Sequence, residues 1–86
     1  RVDTEVIVET TLALISELGL KTPRVLDLGV GSGCILCSIL AEVTGAQGFG
    51  VDLSPTALKL SKRNADMCDV RGRVTLLEGS WFAQDD

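Results

Sequence analysis

Residues 25–34 read VLDLGVGSGC, a short apolar segment that runs straight into three glycines separated by single residues. Glycine inside a regular element costs roughly 0.5–1 kcal/mol relative to alanine, so Gly29, Gly31 and Gly33 require a reason. A strand that ends in glycines and opens a helix surrounds a small concavity with free backbone N–H groups. The missing Cβ atoms let a ligand approach that backbone closely. The competing reading of the same residues is a plain tight turn.

The spacing narrows the ligand. Dinucleotide folds use G-x-G-x-x-G, whereas this loop is G-x-G-x-G and carries Cys34 where the third dinucleotide glycine would stand. Asp27 lies two residues before Gly29, on the strand itself. An acid there suits a ligand with an ammonium group better than a pyrophosphate. S-adenosylmethionine has both an amino-acid end and a sulfonium cation, so it fits the loop better than a dinucleotide does.

Two features downstream fit the same ligand. Asp52 falls 19 residues after Gly33, at the end of the next strand, where folds of this type place an acid that accepts from ribose hydroxyls. Its alternative is an exposed strand-end carboxylate near the following helix. Trp81, the single tryptophan, follows the third strand in Gly79-Ser80-Trp81-Phe82. At the carboxyl end of a parallel strand an indole can pack against adenine; its alternative is to cover the edge of the core.

Around these residues the pattern is helix, strand, helix, strand, helix, strand. Asp3 or Thr4 can cap a helix reaching about Leu18, with Ile7, Leu14, Ile15 and Leu18 as its apolar stripe. Residues 24–28 read as a strand in which Val25 and Leu26 suit burial. A helix follows over 34–43, then a glycine-rich strand over 47–51 that ends at Asp52. Ser54 caps a third helix with Pro55 at its first position, running to about Cys68, and Leu53 and Leu58 are placed for a hydrophobic staple across the cap. Residues 70–72 form a turn and 74–77 a third strand. Such alternation predicts an α/β fold of three parallel strands joined by right-handed crossovers, half of a doubly wound sheet.

Composition bounds the rest. With 86 residues the chain forms at most one small domain, and its net charge of −4 with scattered Lys and Arg offers no basic face for nucleic acid. No apolar run approaches the roughly 18–20 residues of a membrane span, and no signal-peptide pattern opens the chain. Three cysteines argue against a disulfide framework and for a reducing compartment, hence a cytoplasmic protein. Cys34 and Cys37 form C-x-x-C, but without histidine, and with Cys68 standing apart, they read as helix-packing residues rather than a metal site. The opening at Arg1 and the lack of a closing element after Gln84 are those expected of part of a longer protein.

RVLDLGVGSG, GVDLSPTAL, RNA and RVTLLEGSWF together resemble the release-factor glutamine methyltransferases (the HemK/PrmC family), and RVDTEVIVE resembles that family's R-P-x-T-E segment. The resemblance covers nearly the whole chain. It implies a Rossmann-like class I methyltransferase fold, S-adenosylmethionine as cofactor, and a peptide chain release factor as protein substrate, methylated on a glutamine nitrogen. By position it makes Gly29, Val30, Gly31, Ser32 and Gly33 the cofactor loop, Asp52 the ribose acid and Trp81 the residue beside adenine. Arg1, Thr4 and Glu5 match the amino-terminal signature near the active-site opening.

Val2 departs from the family's proline. The family's N-P-P-Y motif, which follows the fourth strand and holds the glutamine amide, lies beyond this chain, so no catalytic residue is assigned. Residues 1–86 are thus expected to be a partial S-adenosylmethionine-binding domain, with a helix and loop over 1–22 and a βαβαβ cofactor half over 23–86. Alone, this chain is expected to be inactive and to self-associate through its open sheet edge. The alternatives are a class I N-methyltransferase acting on nucleic-acid adenine or another protein, and a non-catalytic nucleotide-binding or NAD-type module.

Overall fold

Val8, Leu12 and Ile15 recur at helical spacing and give the first helix one apolar face. The computed structural model describes residues 4–79 and shows that helix, α1, over Thr4–Leu18. Ile15 is buried, and Val8 and Leu12 pack beside it against the core. Leu14 and Leu18, expected on the inner stripe, are exposed instead. The covered face is the one that carries Val8, Leu12 and Ile15.

Three strands follow in the expected places: β1 (Arg24–Leu28), β2 (Gln47–Asp52) and β3 (Val74–Glu78). They form one parallel sheet in the order β1-β2-β3. The crossovers are α2 (Cys34–Glu42) and α3 (Pro55–Met67), and a single 3₁₀ turn at Arg71–Arg73 leads into β3. Ser54 caps α3 as its sequence predicts, accepting from the Ala57 N–H at 3.2 Å, with Pro55 as the first helical residue.

The strand register sorts side chains onto two unequal faces. Val25, Gly48 and Val74 are neighbours across the sheet, as are Asp27, Gly50 and Leu76. This is the helix-covered face, where Leu36, Ile39 and Leu40 of α2 form the centre of the core. Gly48 and Gly50 supply the room: a Cβ on Gly48 would lie 3.2 Å from Leu40, and one on Gly50 would lie 2.9 Å from both Leu76 and Val30. The opposite face carries Leu26, Leu28 and Leu77, all exposed. Leu26 was expected to be buried and is 60% exposed, because successive strand residues alternate between faces and the helices cover one of them. The expected staple is likewise absent. Leu58 is buried but Leu53 is 71% exposed, so the cap of α3 rests on Ser54 alone.

At the amino ends of the strands, Arg73 closes the far end of α2. Its guanidinium donates to the carbonyls of Leu40 (2.8 Å), Val43 (3.1 Å) and Ala46 (2.9 Å). A helix leaves its last carbonyls without partners inside the helix, and a cation there also opposes the negative end of its dipole.

Candidate functional site

Residues 29–33 connect β1 to α2 at the carboxyl end of the sheet, and the loop is tied to β2 at its base. The N–H groups of Gly29 and Val30 both donate to the Val51 carbonyl, at 2.7 and 3.1 Å. Gly29, Gly31 and Gly33 all have positive φ, of 81°, 58° and 79°. Their surroundings differ in an instructive way. A Cβ on Gly29 or Gly31 would meet nothing within 4 Å, whereas one on Gly33 would stand 3.1 Å from Ser61. The first two positions open onto space a ligand can use; the third is reserved for packing against α3.

Open space lies beside the loop as a pocket of about 200 Å³, lined by Asp27, Gly29, Val30, Gly31, Ser32, Cys34 and Ile35. That is below the roughly 300–1,000 Å³ of pockets that take whole drug-sized ligands, and it suits an amino-acid end group. Gly29, Gly31 and Asp27, singled out separately in the sequence, thus share one cavity.

Asp52 approaches the loop from the end of β2. Its Oδ2 accepts from the Gly31 N–H at 2.9 Å and its Oδ1 from the Ser54 N–H at 2.9 Å. These backbone donors, Ser54 first and then Gly31, hold its carboxyl below the usual range. Each oxygen retains a lone pair, so the same carboxylate can brace the loop and still accept from a ligand hydroxyl. Asp27 is shifted the opposite way: burial raises it first, and the negative charge of Asp52 raises it further. A half-buried acid without a cation among the described residues is a place where an ammonium group would be favoured.

α3 supplies two contacts that the sequence reading did not assign. Ser61, 2% exposed, donates to the Gly31 carbonyl at 2.7 Å, and Asn64 donates to the Ser32 carbonyl at 2.8 Å. A signal was present for the first. Ser61 occupies an inward position between Leu58 and Ala65, and a polar residue in a core stripe needs a partner.

Other expected residues fall elsewhere. Glu5 lines a separate groove between α1 and α2 with Val8, Glu9 and Ser38. Arg1, Trp81 and the neighbouring Ser80 and Phe82 lie outside the described residues. Cys37 is buried, and burial, followed by the nearby Cys68 thiol, pushes its own thiol up to about 11. No metal-binding group of three or more His, Cys, Asp or Glu occurs among the described residues.

Comparison with known proteins adds independent information. The model of the family described as ribosomal protein L11 methyltransferase (PrmA) matches residues 7–85. A release factor glutamine methyltransferase of Rhodospirillum rubrum is 43% identical over 83 residues, covering 96% of this chain and 25% of the relative. The corresponding Geobacter sulfurreducens protein is 46% identical over 82 residues, 95% of this chain and 27% of that one. The chain therefore spans about a quarter of the length of these curated relatives. Among solved structures, a SAM-dependent methyltransferase from Geobacter sulfurreducens, in complex with S-adenosyl-L-homocysteine, superposes with a TM-score of 0.68 at 37% identity. That match covers 84% of this chain and 28% of the other. An RNA methyltransferase from Salinibacter ruber, also with S-adenosyl-L-homocysteine, reaches a TM-score of 0.76 at 29% identity over 88% of this chain and 48% of that one.

Proposed function

We propose a function on the premise that this chain belongs to the ribosomal protein L11 methyltransferase (PrmA) family, whose fold is the Rossmann-like fold of class I S-adenosylmethionine-dependent methyltransferases. In this reading the chain supplies the cofactor-binding half of such an enzyme. The single observation that carries it is the shared cavity of the glycine loop and Asp27, with Asp52 bracing the loop from β2.

Each residue then has a defined task. Gly29 and Gly31 leave space for the amino-acid end of the cofactor, and Asp27 faces its ammonium group. Val30 and Ser32 contribute loop backbone, and Gly33 lets the loop sit down on α3. Asp52 accepts from ribose hydroxyls while keeping its bond to Gly31. Trp81 lies outside the described residues, and its assignment to adenine rests on the family resemblance. When bound, S-adenosylmethionine supplies a methyl group on a sulfonium, a strong electrophile. The chain's own contribution is placement, the largest effect a binding half can offer to an in-line transfer.

The proposed substrate is a glutamine side-chain nitrogen of a peptide chain release factor. Support comes from the names of the relatives at 43% and 46% identity. A second reading, methylation of ribosomal protein L11, is favoured by the description of the matching family model. For the first substrate, the resemblance puts the motif that holds the glutamine amide beyond this chain. With labelled S-adenosylmethionine, a protein extending this chain to its relatives' length is expected to label a release factor on glutamine. Labelling of L11 with the release factor untouched would replace the first substrate by the second. This chain alone is expected to label neither.

A further inference from the structure

Four consecutive carbonyls of the glycine loop are occupied from the protein side. Val30 accepts from the Gly33 N–H at 2.9 Å and Gly33 from the Cys37 N–H at 2.9 Å. Between them, Gly31 accepts from Ser61 at 2.7 Å and Ser32 from Asn64 at 2.8 Å. The outer two bonds follow from the turn and from the first turn of α2. The inner two do not, and come from side chains 30 and 32 residues away in sequence. Ser61 and Asn64 are three residues apart on a helix and so share one face. Meanwhile the Ser32 N–H has no acceptor among the described residues.

We propose that Ser61 and Asn64 are positioning residues for the cofactor loop, turning the Gly31 and Ser32 carbonyls toward α3 so that the loop meets its ligand with the Ser32 N–H. This rests on the cofactor site proposed above. A loop that presented these carbonyls outward would repel the carboxylate of an amino-acid end. Held inward, the same residues leave the Ser32 N–H, the loop donor without a partner among the described residues, for that carboxylate. Gly33 belongs to this device, because a Cβ there would press at 3.1 Å on the Ser61 side chain that reaches Gly31.

The test compares Asn64→Ala and Ser61→Ala with Arg73→Ala, whose contacts lie at the other end of the sheet. Two quantities are read: amide exchange at residues 31–34 without ligand, and affinity for S-adenosylhomocysteine. The first two variants are expected to speed loop exchange and weaken the ligand by about five-fold each, the size of one lost neutral hydrogen bond. Asn64→Ala should do so with little change in melting temperature, since alanine improves helix propensity. Arg73→Ala should lower the melting temperature more than either and leave both readouts at wild-type values. Unchanged loop exchange and affinity in the α3 variants would overturn the proposal. So would an affinity that simply follows melting temperature through all three variants. If Ser61→Ala does not fold, Asn64→Ala decides alone. Should the wild-type protein bind no S-adenosylhomocysteine, the cofactor reading fails, and amide exchange still decides whether α3 holds the loop.

Discussion

The two ends of the parallel sheet solve the same backbone problem in different ways. At the amino end, Arg73 reaches back to α2 and saturates the carbonyls of Leu40, Val43 and Ala46 with one guanidinium. At the carboxyl end, three weaker devices share the load: the Asp52 carboxylate on the Gly31 N–H, Ser61 on the Gly31 carbonyl and Asn64 on the Ser32 carbonyl. A single cation ties three carbonyls together at one end. Several modest contacts hold the other in shape while leaving space and a donor beside it. Stability and binding should therefore separate along the strands.

Arg73→Ala gives the largest expected effect on stability. It removes a charged donor from three carbonyls, and the loss should be about 2–3 kcal/mol in chemical denaturation with cofactor affinity unchanged. An equal loss of binding would dissolve the distinction between the ends. Gly33→Ala comes next. Its φ of 79° is left-handed, so alanine there loses roughly 1–2 kcal/mol even before the Cβ meets Ser61. Unlike the arginine variant, it should lower both denaturation midpoint and ligand affinity. Asp52→Asn keeps the shape, weakens the bond to Gly31 and should reduce S-adenosylhomocysteine affinity roughly ten-fold with a smaller change in stability. An affinity within experimental error of wild type would remove Asp52 from the site.

Acid offers the finest separation, because the two aspartates shift in opposite directions. Asp52 is lowered in the folded state, so its contribution to stability is complete above the ordinary 3.8 and is lost as pH falls below that value. Asp27 is raised, so its ionisation weakens the folded state as pH climbs from 3.8 through its folded pKa, and protonation relieves that strain on the way down. On acidification Asp27 takes its proton first. Ligand affinity should then decline while the fold still holds, as calorimetry and circular dichroism at matched pH would show. Coincident loss of both would mean that Asp27 plays no part in binding.

The sequence carried those parts of this arrangement that depend on neighbours in the chain. Ser54 followed by Pro55 marks the start of α3, and glycines after VLDL mark the loop, because caps and turns are local chemistry. Asp52 was singled out through its distance from the loop. Its bond to Gly31 was not, since that depends on how β1 and β2 lie in register. Leu26 and Leu53 misled for a related reason: apolar character says that a residue prefers cover, not which face a helix will cover. Asn64 and Arg73 were given no structural role by the sequence. Their partners lie 27 to 33 residues away, and only the packed fold brings them together.

The central claim is that this loop, with Asp27 and Asp52, takes the amino-acid and ribose parts of S-adenosylmethionine rather than a dinucleotide. Calorimetric titration of the protein with S-adenosylhomocysteine and, separately, with NAD tests it directly. The account predicts saturable one-to-one binding of S-adenosylhomocysteine and no heat of binding with NAD. Binding of NAD with no response to S-adenosylhomocysteine would contradict it.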